Sequence, residues 1–285
     1  MEQLFSLVIP VQAPPQPIKK ILRRYGFSRS LLRRLKCQQA VYKNGQAARL
    51  VDLAGPGDEL FVAKVPAAAN IAPQVGELSL IYEDERLLAV NKPAGMLVHP
   101  LSQEPTGTLA NFLAGYLNGQ RFHLVGRLDR QTSGLVLVAK DPLTAAKLFR
   151  QRETGLWQPK YLAFVKGKVQ GTGQIDLPLG RVDGKRWVNA EGKSALTRYR
   201  ARAYTQEASL LEIELVTGRT NQIRIHFAAG GHPLLGEKLY AQEQTFWRPA
   251  LHAWRVRLPG WLPLTAPLPA DLQQLAARCG FDDET

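Results

Sequence analysis

Gly126-Arg127-Leu128-Asp129-Arg130-Gln131-Thr132-Ser133-Gly134 runs straight into Leu135-Val136-Leu137-Val138-Ala139. The second half is a short continuous apolar run, which reads as a buried strand. The first half is turn-forming, so Asp129 is expected on a loop held by a rigid sheet, where catalytic side chains tend to be found. Arg127 and Arg130 flank its carboxylate and are expected to keep it ionised, because opposite charge nearby lowers an acid's pKa. An ionised, positioned carboxylate can act as a nucleophile or a base. The same residues also fit a turn cap or an ion pair between Asp129 and Arg127.

Downstream, Asp141-Pro142 supplies a cap and a first-turn proline for a helix to about Arg152, with Leu143, Ala146 and Phe149 on one apolar side. Tyr161 to Val165 reads as a strand, and so does Leu210 to Leu215, where Leu211, Ile213 and Leu215 alternate with Glu212 and Glu214. Thr220 is placed to cap a further helix ending at Gly230-Gly231. Strands without regular alternation with helices predict an α+β fold with a largely antiparallel, mixed central sheet flanked by helices.

Upstream, the chain changes character. Residues 1–50 hold ten Lys or Arg against the single acid Glu2, in a 285-residue protein of net charge +13. Clustered positive charge of this kind is the footprint of a nucleic-acid binder. Ile18 to Tyr25 has helical spacing, and Ser28 or Ser30 can cap a second helix through Lys36. Its apolar Leu31, Leu32 and Leu35 share a face, leaving Arg29, Arg33, Arg34 and Lys36 for solvent or phosphate. Asn44-Gly45 is a strong hairpin signal. A small basic α/β domain over residues 17–65, a linker over 66–77 and a main domain over 78–280 follow as the expected organisation.

Composition narrows the rest. Cys37 and Cys279 are far apart and have no metal or redox spacing, so they read as reduced thiols of a cytoplasmic protein. No apolar stretch approaches the ~20 residues of a membrane span, and no secretory leader is recognisable. The five histidines are scattered without metal-ligand spacing, so no metal is expected. Gly192-Lys193-Ser194 lacks the upstream glycine of a phosphate loop, since Trp187 stands there.

The motif around Asp129 resembles the signature of the RluA class of RNA pseudouridine synthases. Leu88 to Pro100, with Asn91-Lys92-Pro93-Ala94-Gly95, is similar to that class's opening strand and loop. Lys160 to Val165 resembles its second motif, and Leu215 to His226, with Thr217-Gly218-Arg219-Thr220-Asn221-Gln222-Ile223-Arg224, its third. Gly231 to Gly236 and Ala266 to Pro269 resemble its closing pieces. Gly126 and Asn221 depart from it, since the class usually carries His at both positions. The basic N-terminal segment resembles the small ribosomal-protein-type RNA-binding module that often precedes the catalytic domain.

The resemblance implies a pseudouridine synthase fold and a uridine-to-pseudouridine isomerase acting on ribosomal or transfer RNA, without cofactor, metal or membrane; a monomer is the default expectation. It implies Asp129 as the catalytic carboxylate. Tyr161 would be the aromatic that stacks the extruded base and accepts a late proton, and Arg219 the guanidinium that orients Asp129. Leu215 would pack on the flipped base, and Arg127 would fill the space the base leaves. Lys92 and Arg224 would be secondary phosphate contacts. Two rival readings are a catalytically inactive RNA-binding factor on the same fold and a hydrolase with paired carboxylates. Asp129, Tyr161 and Arg219 together argue against the first. The second would want another acid in motifs dominated by Lys and Arg.

Overall fold

The computed structural model describes residues 2–65, 71–182 and 184–281. Near the N-terminus, β1 (Gln3–Val8), β2 (Gln16–Pro17), α1 (Ile18–Arg24), α2 (Arg29–Cys37), β3 (Val41–Lys43), β4 (Gln46–Ala47), β5 (Leu53–Ala54) and β6 (Glu59–Ala63) share one small core. The sheet order is β1-β6-β3-β4, all antiparallel. Ser28 caps α2, its side chain accepting from Leu31 N at 3.2 Å. Leu31, Leu32 and Leu35 are buried, whereas Arg29, Arg33 and Lys36 are exposed. Asn44 and Gly45 both take positive φ, +51° and +77°, the turn that matches the twist of a two-residue hairpin. The sequence reading began this unit at residue 17. The structure adds Gln3–Val8 as an edge strand on β6, placed there by backbone pairing that a short apolar start does not reveal.

Residues 66–70 of the expected linker lie outside the described residues. Of the remainder, Ile71 packs against the core beneath α3 (Leu109–Tyr116) and Asn111 Nδ2 donates to Ala72 O at 2.9 Å, whereas Val75 is exposed.

The main domain contains β7 (Leu80–Glu83), β8 (Leu87–Lys92), β9 (His123–Val125), β10 (Ser133–Ala139), α4 (Pro142–Glu153), β11 (Gln158–Lys166), β12 (Thr172–Asp176), β13 (Leu179–Val182) and β14 (Lys185–Val188). It continues with β15 (Leu196–Tyr204), β16 (Ala208–Leu215), α5 (Gln222–Ala229), β17 (Leu251–Arg257), β18 (Leu264–Thr265) and α6 (Ala270–Cys279). Ten strands form one sheet in the order β12-β15-β16-β11-β17-β10-β8-β7, with β18 on β17 and β9 on β10. All its pairings are antiparallel except that of β10 with β17. The expected α+β architecture with a largely antiparallel mixed sheet is therefore what the chain adopts.

β10 is buried at every residue because both of its faces are covered. Leu135, Leu137 and Ala139 pack with Ala145 and Leu148 of α4, while Val136 and Val138 pack with Leu109 and Leu113 of α3. A strand clamped this way cannot slip by one residue without exchanging its two apolar sets. The loop that precedes it inherits that fixed position. Gly134, the second residue of the strand, has φ +113°, and a Cβ there would lie 2.2 Å from Ala253 O on β17. The close parallel contact thus requires glycine.

α4 differs from its sequence reading. Asp141 caps it as expected, accepting from Leu143 N and Thr144 N, but the face buried against the sheet is Thr144, Ala145, Leu148 and Gln151. The stripe Leu143, Ala146, Phe149 has other partners. Leu143 packs on the N-terminal core, Ala146 meets Gly26, and Phe149 lies in a groove beside Asp129's loop.

Candidate active site

Asp129 sits between β9 and β10, where Thr132 N donates to Asp129 O at 3.1 Å and closes a turn. Two buried cations grip the residues that follow. Lys92 Nζ donates to Arg130 O at 3.1 Å, and also to Pro93 O at 2.7 Å and Met96 O at 2.9 Å. Arg248 Nη1 donates to Gln131 O at 3.2 Å, and Nη2 to Ser133 Oγ at 3.3 Å. Arg248 is itself held by Asp271 of α6 at 2.7 Å. Backbone carbonyls pinned by immobile donors leave the loop little freedom, which is what a reacting carboxylate needs.

Asp129 lines a cavity of ≈ 290 Å³ with Arg127, Arg152, Tyr161, Leu215, Arg219, Asn221 and Arg224. Residues on six separate elements and loops converge there. Tyr161 comes from β11 and Leu215 from the end of β16, and both edge the same apolar cluster. Arg224 is on α5, and Arg152 is in the last turn of α4. The cavity opens into a groove of ≈ 710 Å³ that shares Arg127, Arg152, Tyr161 and Arg219 and adds Phe149, Trp157, Arg198 and Arg255. Aromatic rings among guanidiniums suit a nucleic-acid strand, whose bases stack and whose phosphates take forked donors.

The electrostatics correct one expectation. Burial raises the Asp129 carboxyl above the ordinary carboxylate value, and this outweighs the opposing charges of Arg224, Arg127 and Lys92. No hydrogen bond or ion pair within the described residues engages its carboxylate oxygens, so neither the turn-cap reading nor an Asp129–Arg127 pair is realised. Arg130, the other flanking guanidinium, is paired with Glu104 instead. Asp129 is a desolvated carboxylate in sight of cations but bonded to none of them.

The guanidinium acting most strongly on Asp129 is that of Arg224. It is held by Glu237, which is fully buried, through Nε at 2.6 Å and Nη2 at 2.8 Å. Asn221 Oδ1 accepts from its Nη1 at 3.2 Å, and the guanidinium lies 5.3 Å from the Tyr240 ring centroid. The sequence reading gave this orienting role to Arg219. That side chain instead donates from Nε to Ser194 O at the exposed rim, 3.0 Å away, and is not among the charges bearing on Asp129. It lies one strand-to-helix turn upstream of α5, whereas Arg224 is carried into the cavity by the helix itself.

Lys92 is corrected too. Expected as a phosphate contact, it is fully buried and all three of its donors are taken by carbonyls, so RNA cannot reach it. Burial, and then Arg248, push its pKa down to about 7. Thr220 does not cap α5: Asn221 occupies that position at φ +56° with no side-chain capping bond among the described residues, and Gln222 Oε1 accepts from Arg219 N at 2.9 Å. Arg127 is exposed at the cavity mouth, where a residue that replaces an extruded base would have to be.

Glu237, Tyr240, Arg248 and Arg152 were not singled out by sequence. Glu237 and Arg248 carried a usable signal, since charged residues follow apolar or proline-containing stretches there. Their burial depends on the tertiary fold, and Arg152 reads as an ordinary last-turn cation of α4.

Comparison with known proteins shows what the chain is similar to. The family model described as RNA pseudouridylate synthase matches residues 86–229. An uncharacterized RNA pseudouridine synthase of Bacillus subtilis is 38% identical over 77% of this chain and 78% of its own length. The ribosomal large subunit pseudouridine synthase D of Zymomonas mobilis is 40% identical over 66% of this chain and 67% of its own. Among solved structures, human RNA pseudouridylate synthase domain containing 1 superposes with a TM-score of 0.60 at 26% identity, covering 72% of this chain and 88% of that one.

Proposed function

The chain belongs to the RNA pseudouridylate synthase family, and from that premise we propose that it isomerises a specific uridine of ribosomal or transfer RNA, with Asp129 as the reacting carboxylate. The observation that carries this reading is the Asp129 carboxylate itself: desolvated, unbonded, and facing a cavity shared with an aromatic ring and guanidiniums.

The reaction leaves the composition of the nucleoside unchanged. The bond from ribose C1′ to ring N1 breaks, the base turns, and a bond from C1′ to ring C5 replaces it. The hydrogen on C5 is lost and N1 gains one. The carboxylate either adds to C1′ or takes a proton from the ribose, and both routes need it ionised. A uridine inside a stacked helix cannot reach it, so the nucleotide has to be swung out, at a cost of a few kcal/mol. The Tyr161 ring and Leu215 then bracket the base, and Arg127 occupies the gap left in the stack. Arg224 holds a fixed positive charge beside Asp129 because Glu237 and Asn221 immobilise its guanidinium.

Tyr161 has a second part. Burial pushes its phenol up to about 12, so the hydroxyl is neutral at rest. It can take the C5 proton only by releasing its own proton to water in the same event. Arg152, whose charge opposes that upward shift, favours such a transfer.

The small basic unit, taken as residues 17–65 with the added strand Gln3–Val8, is assigned as the RNA-binding module and residues 78–280 as the catalytic domain. The exposed Arg29, Arg33 and Lys36 of α2 support this. A cytoplasmic location fits the two free cysteines. No helix among the described residues is long and apolar enough to cross a membrane.

RNA carrying tritium at uracil C5 tests the activity. Each isomerisation should release one tritium to water and leave one pseudouridine in the digested RNA. Tritium release without pseudouridine, or neither, would rule the activity out.

A further inference from the structure

Where the N-terminal unit meets the catalytic domain, Arg34 of α2 and Arg121, just before β9, line a cavity of ≈ 50 Å³ together with Lys64, His123, Lys140 and Asp141. Three of these are already committed. Lys64 pairs with Glu2 at 2.5 Å and Lys140 with Glu83. The Asp141 carboxylate accepts from Leu143 N, Thr144 N and Thr144 Oγ1 at the start of α4.

The two guanidiniums are left over. Arg34 Nη1 is buried with no hydrogen-bond partner among the described residues. Neither Arg34 nor Arg121 forms an ion pair within the described residues, and each works against the positive charge of its neighbours. Arg34 is lowered by burial and then by Arg121, and His123 is lowered by burial and then by Arg121 and, more weakly, Arg34, against an opposing pull from Asp141. Like charges that converge on a cavity, with a desolvated donor unfilled, are unfavourable unless an anion completes the arrangement. Forked guanidinium donors match phosphate geometry. The cavity has room for little more than one small group, a water's share of liquid volume being about 30 Å³.

We propose that Arg34 and Arg121 together hold a single backbone phosphate of the RNA, so that the substrate itself ties the N-terminal unit to the catalytic domain. This rests on the RNA-substrate reading above. Protein contacts across the seam come from Leu143 on the N-terminal core and Ala146 against Gly26. A phosphate would add a charged bridge between α2 and the strand leading to Asp129. Base readout elsewhere would specify the uridine, and this contact would set register, as phosphate contacts do in nucleic-acid complexes.

The test compares the full chain with Arg34→Gln, Arg121→Gln and the double variant, binding transcribed, unmodified large-subunit ribosomal RNA across a salt series. Each single variant should bind several-fold more weakly, and the double variant by less than the product of the two losses, because both groups grip one phosphate. The double variant's slope of log K against log[salt] should fall by about 0.7–0.9, the value of one contact. Unchanged binding in either single variant, or a double variant whose slope falls by twice that amount, overturns the proposal. A second arm adds inorganic phosphate in place of chloride at equal ionic strength and follows the thermal midpoint. Wild type should gain more than either variant. Phosphate stabilisation with no change in the RNA slope would mean that a free anion, not RNA, fills the site, and would also overturn it. None of these measurements needs turnover, so a failure here is distinct from a failure of the isomerase assignment.

Discussion

Asp129→Asn is expected to lower single-turnover formation of pseudouridine by at least about 10⁴-fold, roughly 5 kcal/mol of barrier at 1.36 kcal/mol per factor of ten, while RNA binding stays close to wild type. The amide keeps the shape but can neither add to C1′ nor accept a proton from the ribose. Stability should move the other way from a structural role. The folded carboxyl sits above its unfolded value, so its ionised form opposes folding, and that penalty is present once pH rises through the folded pKa. The neutral amide removes the penalty, so the variant should be at least as stable as wild type at pH 7. A turn-capping or ion-paired aspartate would instead lose stability on this change. Chemical denaturation alongside the rate measurement separates the two cases. Retained turnover within tenfold of wild type would remove Asp129 from the mechanism.

Arg224→Gln is expected to reduce the rate by about 10²–10⁴-fold, the range for losing a preorganised charge-stabilising donor, whereas Arg219→Gln should cost less than about tenfold and act mainly through KM. The difference follows from what each guanidinium touches. Arg224 is fixed on Glu237 and its charge reaches Asp129; Arg219 bonds the Ser194 carbonyl at the rim. Removing Arg224 alone leaves Glu237 buried without its partner, which can cost 3–5 kcal/mol of stability in its own right. The double variant Arg224→Gln with Glu237→Gln removes that charge imbalance. Its folding can be verified before the rate is read. Equal effects at the two arginines would contradict the assignment.

How much of this was written in the chain can be judged residue by residue. The run Leu135 to Ala139 carried the sheet, because a strand covered on both faces has to be apolar throughout. The alternation of Leu211, Ile213 and Leu215 was equally legible. Asn44-Gly45 fixed its hairpin through local sterics alone. What local pattern could not supply was long-range burial. Lys92 looks like any lysine beside a loop until three carbonyls close over it, and Arg224 differs from Arg219 only by which side of α5's start it occupies. The stripe on α4 was real, but sequence cannot tell a face packed on the sheet from one facing a neighbouring unit. Likewise the two arginines around Asp129 predicted a lowered pKa. The fold reverses the sign, because one of them turns away to Glu104 and burial exceeds what the remaining cations return.

The most direct test is the pH dependence of single-turnover pseudouridine formation, measured for wild type and for Arg127→Gln, a change at an exposed side chain. The ionised carboxylate is the active form, so the rate should climb with pH through the pKa of Asp129. That rise is expected above the ordinary aspartate value of about 3.9. It should move to still higher pH in the variant, since Arg127 is one of the charges that lower this pKa. A rise centred at or below the ordinary value, or one that does not move when Arg127 is neutralised, would contradict the account.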